Sequence, residues 1–163
     1  MLKYYNSMVV FEEIPNEITL AINITNCPCK CPGCHSKFLW GDVGTELTIE
    51  ELKRLIDKND GITAVCFMGG DNSPCEVNKL ADGLLDDPKY DNIKVGWYSG
   101  KDELSKDIDL MLFDYIKLGH YDEKLGGLNK ETTNQRFYTV GVDWEKNYVL
   151  EDKTYMFWKK TAK

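Results

Sequence analysis

Four of the six cysteines of this 163-residue chain fall within eight residues, Cys27-Pro28-Cys29-Lys30-Cys31-Pro32-Gly33-Cys34. Thiolates this dense repel one another, so a bound cation is the natural means of holding them. Taking Cys27, Cys31 and Cys34 as ligands gives the spacing Cys-x3-Cys-x2-Cys, three soft donors on one tight loop, a natural grip for an iron–sulfur cube. Most such clusters take four cysteines. Three leave one iron without a protein ligand, and an open position is what distinguishes catalytic from structural metal sites. Alternation between Cys27 and Cys31 points Cys29 elsewhere, as a spare thiol. The competing reading is a structural zinc site on Cys27 or Cys29 with Cys31, Cys34 and a distant partner such as His35 or Cys66. Zinc sites usually pair two short Cys/His clips. Here Cys66 and Cys75 are nine residues apart, and Cys66 sits in an apolar run as a core thiol does.

Two further constellations carry chemistry. Met68-Gly69-Gly70-Asp71 is either a tight turn or a ligand cradle. As a cradle, its glycines let backbone approach a bound group, and Asp71 accepts hydrogen bonds from an ammonium. In Asp114-Tyr115-Ile116-Lys117, Lys117 either meets a substrate carboxylate or sits at a solvent edge. His120 is a further candidate for that pocket, and Trp40 a cap over the cysteine loop.

The elements that must position these residues are legible in the apolar pattern. Residues 18–25 alternate, with Ile18, Leu20, Ile22 and Ile24 on one face, and this strand runs straight into the cysteine loop. Met8–Phe11 is a shorter strand before it. Thr48 and Glu51 make a capping box for a helix whose apolar face is Ile49, Leu52, Leu55 and Ile56, stopped at Asn59-Asp60-Gly61. Ile62–Met68 is a buried strand. Ser73 and Glu76 form a second capping box, with Pro74 at the first helical position and Val77, Leu80, Ala81, Leu84 and Leu85 as the stripe. Ile93–Tyr98 is a third strand, Glu103–Ile108 a weak helix and Leu110–Leu118 a fourth strand. Strand and helix alternating in this way predict a parallel sheet with helical crossovers. Functional loops then gather at the carboxyl ends of the strands. The cysteine loop, Gly69-Gly70-Asp71, Tyr98-Ser99-Gly100 and Lys117 all fall there. After Gly119 the pattern becomes a long loop, followed by short antiparallel strands at Phe137–Val140 and Tyr148–Leu150.

Length predicts one domain over residues 1–163, with a core of about 17–118 and a loop and short strands over 119–163. With 42% hydrophobic residues the chain buries a real core. The net charge of −7 and the pI near 4.9 argue against a nucleic-acid partner, which draws on clustered Lys and Arg. The start, Met1-Leu2-Lys3-Tyr4-Tyr5-Asn6, lacks a basic-then-apolar signal pattern, and no apolar run is long enough to span a membrane. The expectation is a cytoplasmic protein, where clustered cysteines serve metal or redox chemistry.

A strand ending in Cys27-x3-Cys31-x2-Cys34 resembles the radical S-adenosylmethionine (SAM) superfamily, and a later strand ending in Gly69-Gly70-Asp71 resembles its Gly-Gly-Glu or Gly-Gly-Asp motif. Cys31-Pro32-Gly33-Cys34-His35, Asn134-Gln135-Arg136 and Trp97-Tyr98-Ser99-Gly100 are similar to strings of the anaerobic ribonucleoside-triphosphate reductase activating proteins. The resemblance spans roughly residues 8–140. It implies a [4Fe-4S] cluster on Cys27, Cys31 and Cys34, with SAM chelating the open iron through its amino and carboxylate groups. Gly69, Gly70 and Asp71 hold the SAM amino end, and Gly33 or His35 contacts adenine; Lys117, read from its place near a strand end, is added to these as a cofactor-binding residue. The implied activity is that of a radical SAM activase, an oxidoreductase. It cleaves SAM reductively and leaves a glycyl radical on a large partner enzyme, anaerobic ribonucleotide reductase, with electrons from a flavodoxin or ferredoxin-like donor.

This sequence departs from the wider superfamily at Gly33, where many members carry an aromatic residue, at Ser36, where Asn is usual, and in the extra Cys29. Residues 114–127 depart from the reductase activators, and Asp114-x-x-Lys117 is loosely similar to the pyruvate formate-lyase activators. The implied fold is an α/β partial (βα) barrel of the radical SAM type, laterally open, since a full barrel takes about 200 residues or more. The rival functions are an activase of another glycyl-radical enzyme, a small-molecule radical SAM enzyme, and a non-catalytic zinc-binding interaction module.

Overall fold

The computed structural model describes residues 1–158. Its strands are β1 (Lys3–Val10), β2 (Thr19–Ile24), β3 (Thr45–Glu46), β4 (Ala64–Met68), β5 (Lys94–Tyr98), β6 (Tyr115–Leu118), β7 (Arg136–Val142) and β8 (Tyr148–Asp152). The α-helices are α1 (Ile49–Lys58) and α2 (Pro74–Leu85). All the strands join one open, mixed sheet in the order β3-β1-β2-β4-β5-β6-β7-β8. The four central strands, β2, β4, β5 and β6, are parallel. Antiparallel strands extend the sheet on both sides. The fold is thus α/β with a parallel centre, as the strand–helix alternation predicts, and the sheet is not closed.

Period-two alternation divides the sheet into two faces. Leu20, Ile22, Ile24, Val65, Phe67, Val95, Trp97 and Ile116 pack with Leu52, Leu55 and Ile56 of α1 and Val77, Leu80 and Leu84 of α2. On the other face Ala64, Cys66, Tyr98 and Phe137 form a smaller cluster under Ile14 of the β1–β2 connection. Gly96 makes room for that cover, because a Cβ there would lie 2.9 Å from Ile14 Cδ1. Ile18, expected on the core face, precedes β2 and is exposed.

Helix α1 starts as its sequence dictates, with the Thr48 side chain accepting from Glu51 N at 3.1 Å. The Glu51 carboxylate is engaged by Tyr4 Oη and Arg54. Helix α2 begins at Pro74 as expected, but Ser73 makes no side-chain cap bond, so the second capping box is absent. The helix expected at 103–108 does not form. Ser105 and Asp109 side chains accept from Asp107 N and Met111 N, and such local side-chain bonds compete with helix. The strand expected over 110–118 is a 3-10 turn at Leu110–Leu112 followed by the short β6. The third crossover therefore lacks an α-helix. Both expected C-terminal strands form, somewhat longer, as the antiparallel pair β7 and β8. Among the described residues no helix is long and apolar enough to cross a membrane.

Candidate cofactor site

The parallel register lines up the carboxyl ends of the central strands. Asn23 pairs with Met68, Met68 with Tyr98, and Tyr98 with Lys117, so four loops leave one edge at the same level. The cysteine loop follows β2. Its neck is closed by Asn26 N donating to Gly41 O (2.9 Å), Cys27 N to Leu39 O (3.0 Å) and Thr25 Oγ1 to Val43 O (2.6 Å). Within the loop Cys34 N donates to Cys31 O at 3.1 Å, a tight turn that places two of the expected ligands side by side. All four loop thiols are half-buried.

The Gly69-Gly70 turn is one that only glycine fits comfortably. Both residues take positive φ, 109° and 93°. A Cβ on Gly70 would also lie 2.7 Å from Val77 Cγ2. The turn carries Asp71 back over the strand ends, where Ser99 Oγ donates to its Oδ1 and Gly100 N to its Oδ2 at 2.9 Å. Ser99 is 1% exposed. Its own carbonyl accepts from Lys117 Nζ at 3.1 Å, and Gly119 O accepts from the same amine at 2.6 Å. Ser99 thus links the carboxylate to the amine. It is not among the expected site residues, although Tyr98-Ser99-Gly100 stands among the strings of the resemblance. A small polar residue directly after an apolar strand was the available signal.

Lys117 points inward and is buried, which excludes the solvent-edge reading. Burial pulls its pKa down to about 8, against the opposing pull of Asp71, Cys31, Cys29 and Asp102. Cys29 also differs from expectation. Residues two apart in an extended run share a face, so alternation does not turn Cys29 away from Cys27, and the left-handed Lys30, with φ of 44°, breaks the extended run after it. The Cys29 Sγ lies 3.9 Å from Asp71 Oδ2. Burial, with the charges of Asp71 and Cys27, pushes this thiol up to about 12.

A cavity of about 180 Å³ is walled by Cys27, Cys34, Trp40, Gly69, Asp71 and Lys117, among others. It shares Met68, Tyr98 and Lys117 with a larger cavity of about 700 Å³ that runs over the face opposite the helices, past Glu13 and Gln135. The structure therefore brings Cys27, Cys34, Gly69, Asp71 and Lys117 to one space. The other expected residues lie around it. Gly70 backs onto Val77, Gly33 lies beneath Glu123, and the exposed His35 faces Tyr121 with ring centroids 5.5 Å apart. His120 pairs with Asp102 at 2.7 Å and lines a separate small cavity with Arg136 and Tyr138. Tyr121 and Glu123 thus touch the Cys31–His35 turn at His35 and Gly33, contacts that the sequence did not signal. Among the described residues no three His, Cys, Asp or Glu side chains are gathered to hold a single metal ion.

No family model, curated protein or solved structure matches this chain.

Proposed function

We propose that this chain is a radical SAM activase of the glycyl-radical type, acting in the cytoplasm on anaerobic ribonucleoside-triphosphate reductase. The observation that carries the reading is the shared cavity. Cys27 and Cys34, of the Cys-x3-Cys-x2-Cys motif, wall it together with Gly69 and Asp71 of the Gly-Gly-Asp turn. The donor set fits the group. Thiolates are the usual ligands of iron–sulfur clusters, and a cube offers each thiolate its own iron, so the sulfurs need not converge on one ion. In this reading Cys27, Cys31 and Cys34 hold a [4Fe-4S] cluster. When bound, that cluster with SAM supplies a one-electron cleavage of the sulfonium bond, giving methionine and a 5′-deoxyadenosyl radical.

The residues of the chain bind and orient. Asp71, fixed by Ser99 and Gly100, accepts from the ammonium of an amino-acid moiety. Lys117, held by Ser99 O and Gly119 O, faces the carboxylate of the same moiety. Gly33 and His35 lie on the adenine side of the loop. The larger cavity on the open face is the approach for a partner segment bearing glycine, and a flavodoxin or ferredoxin-like protein is the electron donor.

The test is anaerobic reconstitution. The expected outcome is brown protein with about four irons per chain and a reduced EPR signal that changes on adding SAM. Cys31→Ala abolishes iron binding. A colourless, zinc-loaded protein whose properties SAM leaves unchanged overturns the reading in favour of an interaction module. Anaerobic co-purification from the native cell distinguishes the reductase from another glycyl-radical partner.

A further inference from the structure

We propose that Cys29 is a positioning residue that holds the Asp71 carboxylate toward its ligand, and is not a metal ligand. The inference rests on the reading above, because it concerns the residue assigned there to the amino end of SAM. Two features of the structure carry it. The first is the environment of Asp71. Its Oδ2 accepts from Gly100 N at 2.9 Å and lies 3.9 Å from Cys29 Sγ, while its Oδ1 accepts from Ser99 Oγ. Of these three donors Cys29 alone comes from the cysteine loop, so it ties that loop to the turn after β4. A thiol is a weak donor, suited to a contact of this length.

The second feature is steric. A Cβ on Gly100 would fall 2.8 Å from Cys29 Sγ and 3.7 Å from Asp71 Oδ2. The absence of a side chain at Gly100 is what lets the thiol reach the carboxylate. Cys29, Gly100 and Asp71 are therefore one packed unit, and a change at any of them moves the carboxylate.

The test is equilibrium dialysis of SAM against anaerobically reconstituted protein, with iron counted in the same samples. Cys29→Ala keeps the iron of the unaltered protein and weakens SAM binding about twofold, the low end for a net hydrogen bond and fitting for a weak donor. Cys29→Ser, whose hydroxyl sits on a shorter bond and falls beyond hydrogen-bond reach of the same oxygen, weakens binding as Cys29→Ala does, whereas a purely space-filling role would leave it near that of the unaltered protein. Gly100→Ala weakens binding through the close approach to Sγ, and adding Cys29→Ala recovers part of that loss. The proposal is overturned if Cys29→Ala loses iron as Cys31→Ala does, for Cys29 is then a ligand. It is overturned equally if Cys29→Ala leaves SAM binding unchanged. When the unaltered protein holds iron and SAM, either result defeats this proposal alone. An unaltered protein that takes up neither defeats the cluster reading itself, and this proposal with it.

Discussion

Lys117 sets burial against charge. Its amine is buried with two carbonyl acceptors, and burial lowers its pKa from 10.5 to about 8. Between those values the unfolded chain binds a proton that the folded chain does not, so this group makes stability rise with pH across that window. Below about 8 both states are protonated and the cost of burying the charge is fully present. Urea unfolding of the metal-free protein and of Lys117→Met, at a pH near 7.5 and again near 9.5, measures the effect. Relative to the variant, the unaltered protein gains stability at the higher pH. A pH-independent difference would show that Lys117 is not held in the way described. Under the proposed function that cost is offset when the amine meets a ligand carboxylate.

At the scale of elements, two helix starts that read alike in sequence separate in the structure. Thr48 caps α1 through its side chain, and Ser73 makes no such bond at α2. Thr48→Ala is expected to cost about 1 kcal/mol of stability, the usual worth of an N-cap. Ser73→Ala is expected to stay within about 0.5 kcal/mol, as surface changes away from such features do. Denaturant unfolding of both variants checks this, and equal losses would contradict the difference in capping. The same contrast explains how much was legible. Apolar periodicity reports burial, so β2, β4, β5 and both helices could be read from residues such as Leu20, Val65, Val95, Leu52 and Leu80. It does not report what polar side chains do to their own backbone. Ser105 and Asp109 take amides that a helix needs, and Asp114 Oδ2 accepts from Val95 N at 2.8 Å, which removes a helix and shortens a strand. Placement of Gly69, Asp71 and Lys117 at one edge follows from the order of strands and crossovers. The orientation of Cys29 does not, because it is set by contacts with Asp71 and Gly100, which come from other loops. Ser99 owes its importance to a carboxylate that arrives from a different loop.

For the whole molecule, the governing feature is that only one face of the parallel sheet carries helices. Parallel sheets ordinarily have both faces covered. Here the second face is sealed locally by Ile14, with Phe157 packed beside it, and otherwise opens into the larger cavity. Thiol chemistry reports this unevenness. Cys75 is exposed, whereas Cys66 is fully buried on the second face, where burial raises its thiol well above the ordinary range. Alkylation followed by mass mapping should label Cys75 at once and Cys66 only at the rate of global unfolding. Rapid labelling of Cys66 would mean that Ile14 does not cover it as described.

The parallel pairing also sets a timetable for the growing chain. Strands β1 and β2 pair antiparallel across a short connection, a local contact available as soon as both have emerged. Asp71 and Lys117 arrive only with β4 and β6, whose parallel pairings close long loops and form slowly. The ribosome therefore delivers the four crowded thiols well before the pocket that shelters them. During that interval the chain is at its most vulnerable to oxidation, and anything that needs the finished pocket waits on the last central strand.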